Sequence, residues 1–281
     1  MTDSADSGSE PKAAQGDRRL DAELASRGLA RSRTHAARLI ADGLVTVDGV
    51  PQVKPSFRVG SGQSIVVAGA DHYVSRAAHK LLAALDAFSI DPSARVALDA
   101  GASTGGFSQV LLERGAATVL AIDVGHAQLA SELRGNRALV SVEGFNIRDL
   151  TRAWVRDRLQ KAGVETLPDL VVADLSFISL ALVLAPLRDS VSDRANFVLL
   201  VKPQFEVGRG GIREGIVREA HARQDALTAV LWSAWDLGLP TAGVMASPIA
   251  GTAGNREYLV WLSTGVGTNP SEWLESVAEL G

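Results

Sequence analysis

The chain has 281 residues, 46% of them apolar, and a formal net charge of −4, a balance that supports one sizeable core, or a core with a small companion module. It contains no cysteine, which excludes disulfides, cysteine-ligated zinc and thiol catalysis. Its most apolar charge-free run, Leu175 to Leu187, falls short of a membrane span, and its polar, acidic start has no apolar signal-peptide core, so a cytoplasmic protein without membrane association is expected.

The net charge hides an asymmetry. Residues 18–68 hold eight Arg and Lys against four acids, whereas residues 1–17 hold one Lys against four acids. A basic segment on an acidic protein is the electrostatic footprint of a polyanion-binding module.

Taken in order, residues 1–17 are rich in Ser, Asp, Gly and Ala, lack apolar periodicity and read as a disordered tail. The first organised unit spans residues 18–69. Leu20, Leu24 and Leu29 indicate a short helix ending at Gly28. Ser32 caps a second helix with Ala36, Leu39 and Ile40 inward and Gly43 closing it. Val45–Gly49 is a strand entering a turn, and Ser64–Val67 is another strand. This unit resembles the S4 RNA-binding domain through Arg18-Arg19-Leu20-Asp21, Gly28-Leu29-Ala30-Arg31-Ser32-Arg33-Thr34-His35-Ala36 and Leu39-Ile40-Ala41-Asp42-Gly43-Leu44-Val45-Thr46-Val47-Asp48-Gly49. The resemblance implies that Arg19, Arg31, Ser32, Arg33, Arg38 and Lys54 face RNA, a role that suits guanidinium groups at a helix start.

Residues 70–74 form a linker, and a main domain follows at residues 75–265. Ser75 caps a helix through Phe88 that carries Arg76, His79 and Lys80. Strand-like runs then alternate with helical ones. The strands are Val96–Ala100, Val119–Asp123, Leu139–Glu143, Leu170–Asp174, Phe197–Lys202, Thr241–Ala246 and Tyr258–Leu262; helical segments between them include Gln128–Arg134, Ala153–Ala162 and Ala220–Leu237. The alternation predicts an α/β, Rossmann-like domain with a seven-stranded, mainly parallel sheet, its last two strands forming a hairpin, preceded by a small α+β module. Residues 266–281 read as a C-terminal tail with a short helix.

The pivot of this domain is Leu98-Asp99-Ala100-Gly101-Ala102-Ser103-Thr104-Gly105-Gly106-Phe107, a strand end, a Gly-rich turn and a helix start. Ser103 stands where a dinucleotide fingerprint needs its second glycine. The pattern is D-x-G-x-x-x-G, which resembles the turn of S-adenosylmethionine (SAM) methyltransferases. In a doubly wound sheet, ligands sit beyond the carboxyl ends of the strands. That rule selects Asp99 and the turn, Asp123 with Val124 at the second strand, Asn146 after the third, Asp174 with Leu175 at the fourth, and Lys202 at the fifth. The expected cofactor contacts are thus Asp99, Gly101, Ala102, Ser103, Thr104, Gly105, Gly106, Phe107, Asp123, Val124, Asn146, Asp174 and Leu175.

Together with Ser75-Arg76-Ala77-Ala78-His79-Lys80-Leu81, the segments Val172–Leu180, Leu200-Val201-Lys202-Pro203-Gln204-Phe205-Glu206 and Gly254-Asn255-Arg256-Glu257-Tyr258 resemble the TlyA family over residues 18–263. That family pairs an S4 domain with an FtsJ-like SAM-dependent methyltransferase domain acting on ribosomal RNA, and its members often carry the label haemolysin. The resemblance implies a Lys-Asp-Lys-Glu tetrad at Lys80, Asp174, Lys202 and Glu257, and 2′-O-methylation of cytidine in 16S rRNA, 23S rRNA or both. In this assignment Lys202 steers or accepts the proton of the attacking hydroxyl, Asp174 and Glu257 orient it, and Lys80 stabilises the developing alkoxide. The sequence leaves open whether Lys202 acts as a neutral base or as a cation. No metal site is expected. The partners are ribosomal RNA and the ribosomal subunits, and a monomer is the working expectation. Alternatives are a non-catalytic RNA-binding assembly factor, a membrane-active haemolysin and an S4-bearing pseudouridine synthase; the intact tetrad, the lack of a span and the glycine turn speak against them in that order.

Overall fold

The structure is a computed structural model that describes residues 18–30, 32–67, 72–207, 215–251 and 254–281. The expected tail, Arg31 and part of the expected linker lie outside these residues. The chain divides into two compact units, Met1–His72 and Tyr73–Gly281, a boundary inside the expected linker.

The first unit runs β1 (Arg18–Arg19), α1 (Leu20–Ser26), α2 (Arg33–Ala41), β2 (Val45–Val47), β3 (Val50–Gln52), β4 (Arg58–Val59) and β5 (Ile65–Val67). Leu20, Leu24, Ala36 and Ile40 are fully buried at helical spacing and meet Val45 and Val47 at strand spacing, so two periodicities close one small core. Ser32 caps α2, accepting from the backbone N–H of His35 at 3.1 Å. Pro51 sits in β3, which among the described residues pairs with β2 alone, an edge position where a missing donor is tolerated.

The second unit contains α3 (Ala78–Ala87), β6 (Val96–Ala100), α4 (Gly106–Glu113), β7 (Thr118–Asp123), β8 (Leu139–Glu143), α5 (Arg152–Lys161), β9 (Leu170–Ala173), α6 (Leu184–Ser190), β10 (Asn196–Val201), α7 (Pro203–Glu206), α8 (Ala220–Asp236), β11 (Thr241–Ala246), β12 (Tyr258–Ser263) and α9 (Leu274–Glu279). Its seven strands lie in the order β11-β12-β10-β9-β6-β7-β8. All are parallel except β12, which is inserted antiparallel between β11 and β10. Two apolar clusters, one on each face, bury the sheet under helices. Because β6 pairs with β7 on one side and β9 on the other, the chain reverses its strand order at β6, which places a ligand crevice at the carboxyl ends there.

Several local expectations change. Ser75 does not cap a helix; its hydroxyl oxygen accepts from the N–H of Ala77 at 3.2 Å in a turn before α3. Gln128–Arg134 is not a helix but holds only a 3-10 turn at Ser131–Leu133. Its backbone is committed elsewhere: the Leu129 carbonyl accepts from the Arg134 guanidinium at 2.9 Å, and the Ala130 N–H reaches the Thr104 carbonyl at 3.2 Å. Residues 266–281 do not hang as a tail. Thr268 bridges Thr241, the Trp273 indole N–H donates to the Thr241 carbonyl at 3.1 Å, and Val277 is buried in the core.

Candidate active site

The glycine turn is shaped by what lies against it. Gly101 has φ +84, and a Cβ there would come within 2.9 Å of both the Asp174 carbonyl and the Leu175 side chain, so only glycine lets the end of β6 approach the end of β9. Gly105, φ +94, caps α4 in the left-handed region and lies under Leu129 and Leu133. Gly106 abuts Ser75, where a Cβ would meet Ser75 Cβ at 2.8 Å, which ties the start of α3 to the turn. The Phe107 ring packs into the apolar core and Ala102 is buried, so those two expected contacts can reach a ligand only through backbone. Thr104 spends its carbonyl on Ala130.

Asp99 is 0% exposed. Its Oδ2 accepts from the Ser108 hydroxyl at 2.6 Å, while its Oδ1 has no hydrogen-bond partner among the described residues. Burial pushes its carboxyl up to about 7, partly offset by Ser108, with Asp174 and Asp123 adding repulsion. Asp123 ends β7 and accepts from the N–H groups of Ser103 at 2.8 Å and Gly125 at 2.6 Å. Val124 beside it is well exposed. Asn146 is exposed and its side chain caps a 3-10 turn by accepting from the Arg148 N–H at 3.1 Å.

The second cluster follows from sheet register. One step beyond the ladder pair Val201↔Tyr258, Lys202 lies opposite Glu257. The parallel pair Leu199↔Ala173, continued past the strand ends, brings Lys202 beside Ser176. Lys202 Nζ lies 2.6 Å from Asp174 Oδ1, a charge contact rather than an aligned hydrogen bond, and donates to Ser176 Oγ at 2.9 Å. Lys80, from α3, donates to Glu257 Oε2 at 2.5 Å, both side chains buried. The four residues therefore form two ion pairs. Glu257 pairs with Lys80, while Lys202 meets Asp174 and Ser176.

Sequence reasoning missed two neighbours. Phe177 is 91% exposed at φ +64, and its ring centre lies 5.3 Å from that of Phe205. Glu206 accepts from the Ser179 hydroxyl at 2.6 Å and the Leu180 N–H at 2.9 Å, clasping the loop after β9 to α7; burial raises its carboxyl pKa against those two bonds. The motif contained both residues, but nothing in the letters separates a displayed phenylalanine from a core one.

In the first unit, Arg19 makes a bidentate contact with Asp21 at 3.0 Å, and Arg33 reaches the same carboxylate at 3.3 Å. Asp21 is thereby held below the usual carboxylate range, chiefly by Arg19. Ser32, Arg38 and Lys54 are exposed. Arg31 lies outside the described residues.

The family models match this layout: an S4 domain at residues 18–65 and an FtsJ-like methyltransferase at residues 73–264. A Mycobacterium tuberculosis protein named 16S/23S rRNA (cytidine-2′-O)-methyltransferase TlyA is 49% identical over 249 residues, 88% of this chain and 90% of the relative. The chain belongs to the TlyA family of FtsJ-like methyltransferases. Within it, the Brachyspira hyodysenteriae protein named Hemolysin A is 36% identical over 86% of this chain and 98% of its own. A solved Streptococcus thermophilus structure named as a hemolysin superposes with a TM-score of 0.73 at 36% identity, covering 95% of this chain and 96% of that one. No helix among the described residues is long and apolar enough to cross a membrane. The cofactor of a TlyA-family methyltransferase is SAM, and the crevice fits that cation. It offers a buried Asp99 oxygen with no partner among the described residues, and the carboxylates of Asp123 and Asp174 close enough to repel it, an acidic, acceptor-rich lining hostile to a pyrophosphate.

Proposed function

We propose that this chain methylates cytidine 2′-hydroxyls in ribosomal RNA, on both ribosomal subunits, as a cytoplasmic monomer. The observation that carries this reading is the pair of lysine–carboxylate contacts, Lys202–Asp174 and Lys80–Glu257, set beside a glycine turn whose acids favour a cationic ligand.

SAM, when bound, supplies a methyl carbon already activated by its sulfonium. The protein's own residues must align a poor nucleophile and manage its proton. Alignment alone contributes up to ~7–11 kcal/mol in ideal cases. Lys202, held from two sides by Asp174 and Ser176, steers or accepts the hydroxyl proton at its Nζ. Lys80, fixed by Glu257, stabilises the oxygen as it gains charge. Two cations and two anions keep the site near neutral, which admits an RNA backbone. Phe177 offers an open aromatic face next to Ser176, and stacking a base on such a face contributes ~1–3 kcal/mol; this favours an unstacked target nucleotide. The S4 unit supplies sequence-independent affinity for phosphates.

The test is transfer of labelled methyl from SAM to each ribosomal subunit, with 2′-O-methylation mapped by nucleotide. Label at cytidine riboses supports the reading. RNA binding without transfer would leave a non-catalytic assembly factor, and label on a base would place the chemistry elsewhere.

A further inference from the structure

The loop after β7 is held far more firmly than a connector needs. Glu143, the last residue of β8, accepts from three successive backbone N–H groups, those of Ala127 at 2.7 Å, Gln128 at 2.8 Å and Leu129 at 3.1 Å. These bonds hold its carboxyl below the usual glutamate range. Ala127 sits at φ +55 within this loop, and Ser103 at φ +47 across the crevice. Non-glycine residues in that region cost on the order of 1–3 kcal/mol each and persist where their surroundings over-determine them, commonly at binding sites.

What the loop presents is the side chain of Gln128. Ser103 Oγ donates to Gln128 Oε1 at 2.9 Å, which commits the carboxamide oxygen. The Gln128 NH2 lies directly over Gly125: a Cβ on Gly125 would run into it while standing 3.1 Å from Asp123 Oδ1. A donor is thus parked beside the carboxylate at the end of β7. The two acids at the loop, Asp123 and Glu143, are acceptors only when ionised, and a hydroxyl both donates and accepts. Asp123 already takes two backbone N–H groups, and each of its oxygens keeps a second lone pair.

We propose that Gln128 selects ribose in the cofactor site: its amide donates to the oxygen of a ribose hydroxyl that itself donates a hydrogen bond to Asp123, and Glu143 is the positioning residue that fixes Gln128. The assignment rests on reading this crevice as the adenosyl site. It gives a reason for glycine at 125, since any side chain would displace the amide.

Isothermal titration of the full chain with S-adenosylhomocysteine and with its 2′-deoxy and 3′-deoxy analogues tests this without turnover. Gln128→Ala should weaken S-adenosylhomocysteine roughly five- to tenfold, the size of one net hydrogen bond. One deoxy analogue should bind the wild type less tightly by at least that factor, and the penalty should shrink in Gln128→Ala and in Gln128→Glu to what the Asp123 bond alone contributes. Glu143→Ala should weaken S-adenosylhomocysteine in the wild-type background and add nothing to Gln128→Ala. Unchanged affinity in Gln128→Ala, or a deoxy penalty identical in variant and wild type, would overturn the ribose contact while leaving the cofactor site standing. A wild-type chain that binds no S-adenosylhomocysteine would instead remove the reading beneath it.

Discussion

Lys80 and Glu257 meet at 2.5 Å across 177 positions of sequence, one from the first turn of α3 and the other from the entry to β12. Both are buried. Charge taken out of water is tolerated only when paired, and removing one partner of such a pair costs about 3–5 kcal/mol, whereas replacing both with apolar side chains is often neutral. Lys80→Met and Glu257→Leu should each destabilise the second unit by that amount, and the double variant should recover most of it. Denaturant unfolding of the three proteins checks this. A double variant as unstable as the sum of the singles would mean that the two side chains do not act as a pair.

Lys202→Ala should keep S-adenosylhomocysteine and RNA binding and lose methyl transfer by roughly 10²–10⁴-fold, the range for a positioned proton-handling group. Binding titrations beside single-turnover transfer separate the two. Transfer near the wild-type rate would remove Lys202 from the chemistry.

The acid at the turn makes a statement about pH. Burial is the main cause that pushes Asp99 up to about 7, while an aspartate in the unfolded chain ionises near 3.9. Between those values the folded state holds the extra proton, so unfolding free energy falls as pH rises through this window, at up to about 1.4 kcal/mol per pH unit. Asp99→Asn should lack this decline. The stability difference between variant and wild type should therefore grow from pH 5 to pH 7 and level off above 8, read by denaturant titration at each pH. A difference independent of pH would mean that Asp99 ionises normally.

Replacing Arg31 and Arg33 together with Ala should weaken RNA binding and flatten its salt dependence by about 0.7–0.9 log-log unit per lost phosphate contact. Arg33 shares Asp21 with Arg19 in the structure, and each such arginine has further donors to offer a phosphate. Affinities measured across a salt series give the slope, and an unchanged slope would place the footprint elsewhere.

The sheet was legible because each strand is a short apolar run between turn signals, and β6 to β10 each carry a polar or charged residue at or just past the carboxyl end. Register then does the rest, since pairs such as Val201↔Tyr258 and Leu199↔Ala173 carry the rim residues together. Three features were not legible, and each depends on a distant partner. Gln128–Arg134 has helical letters, yet its backbone N–H groups answer to Glu143 and Thr104. Glu257 was expected at Lys202, but the approach of α3 gives it to Lys80. Residues 266–281 look like a tail because the Trp273 and Val277 contacts that hold them belong to β11 and the core.

The inserted strand has a consequence in time. β10 and β11 flank β12, so the sheet has a gap in it until the last of its strands has been synthesised. Chains fold from the N-terminus as they emerge, so Lys80 is in place early and waits for a partner more than half the chain away. The Lys80–Glu257 pair therefore closes only once β12 has been made, after every other strand of the sheet.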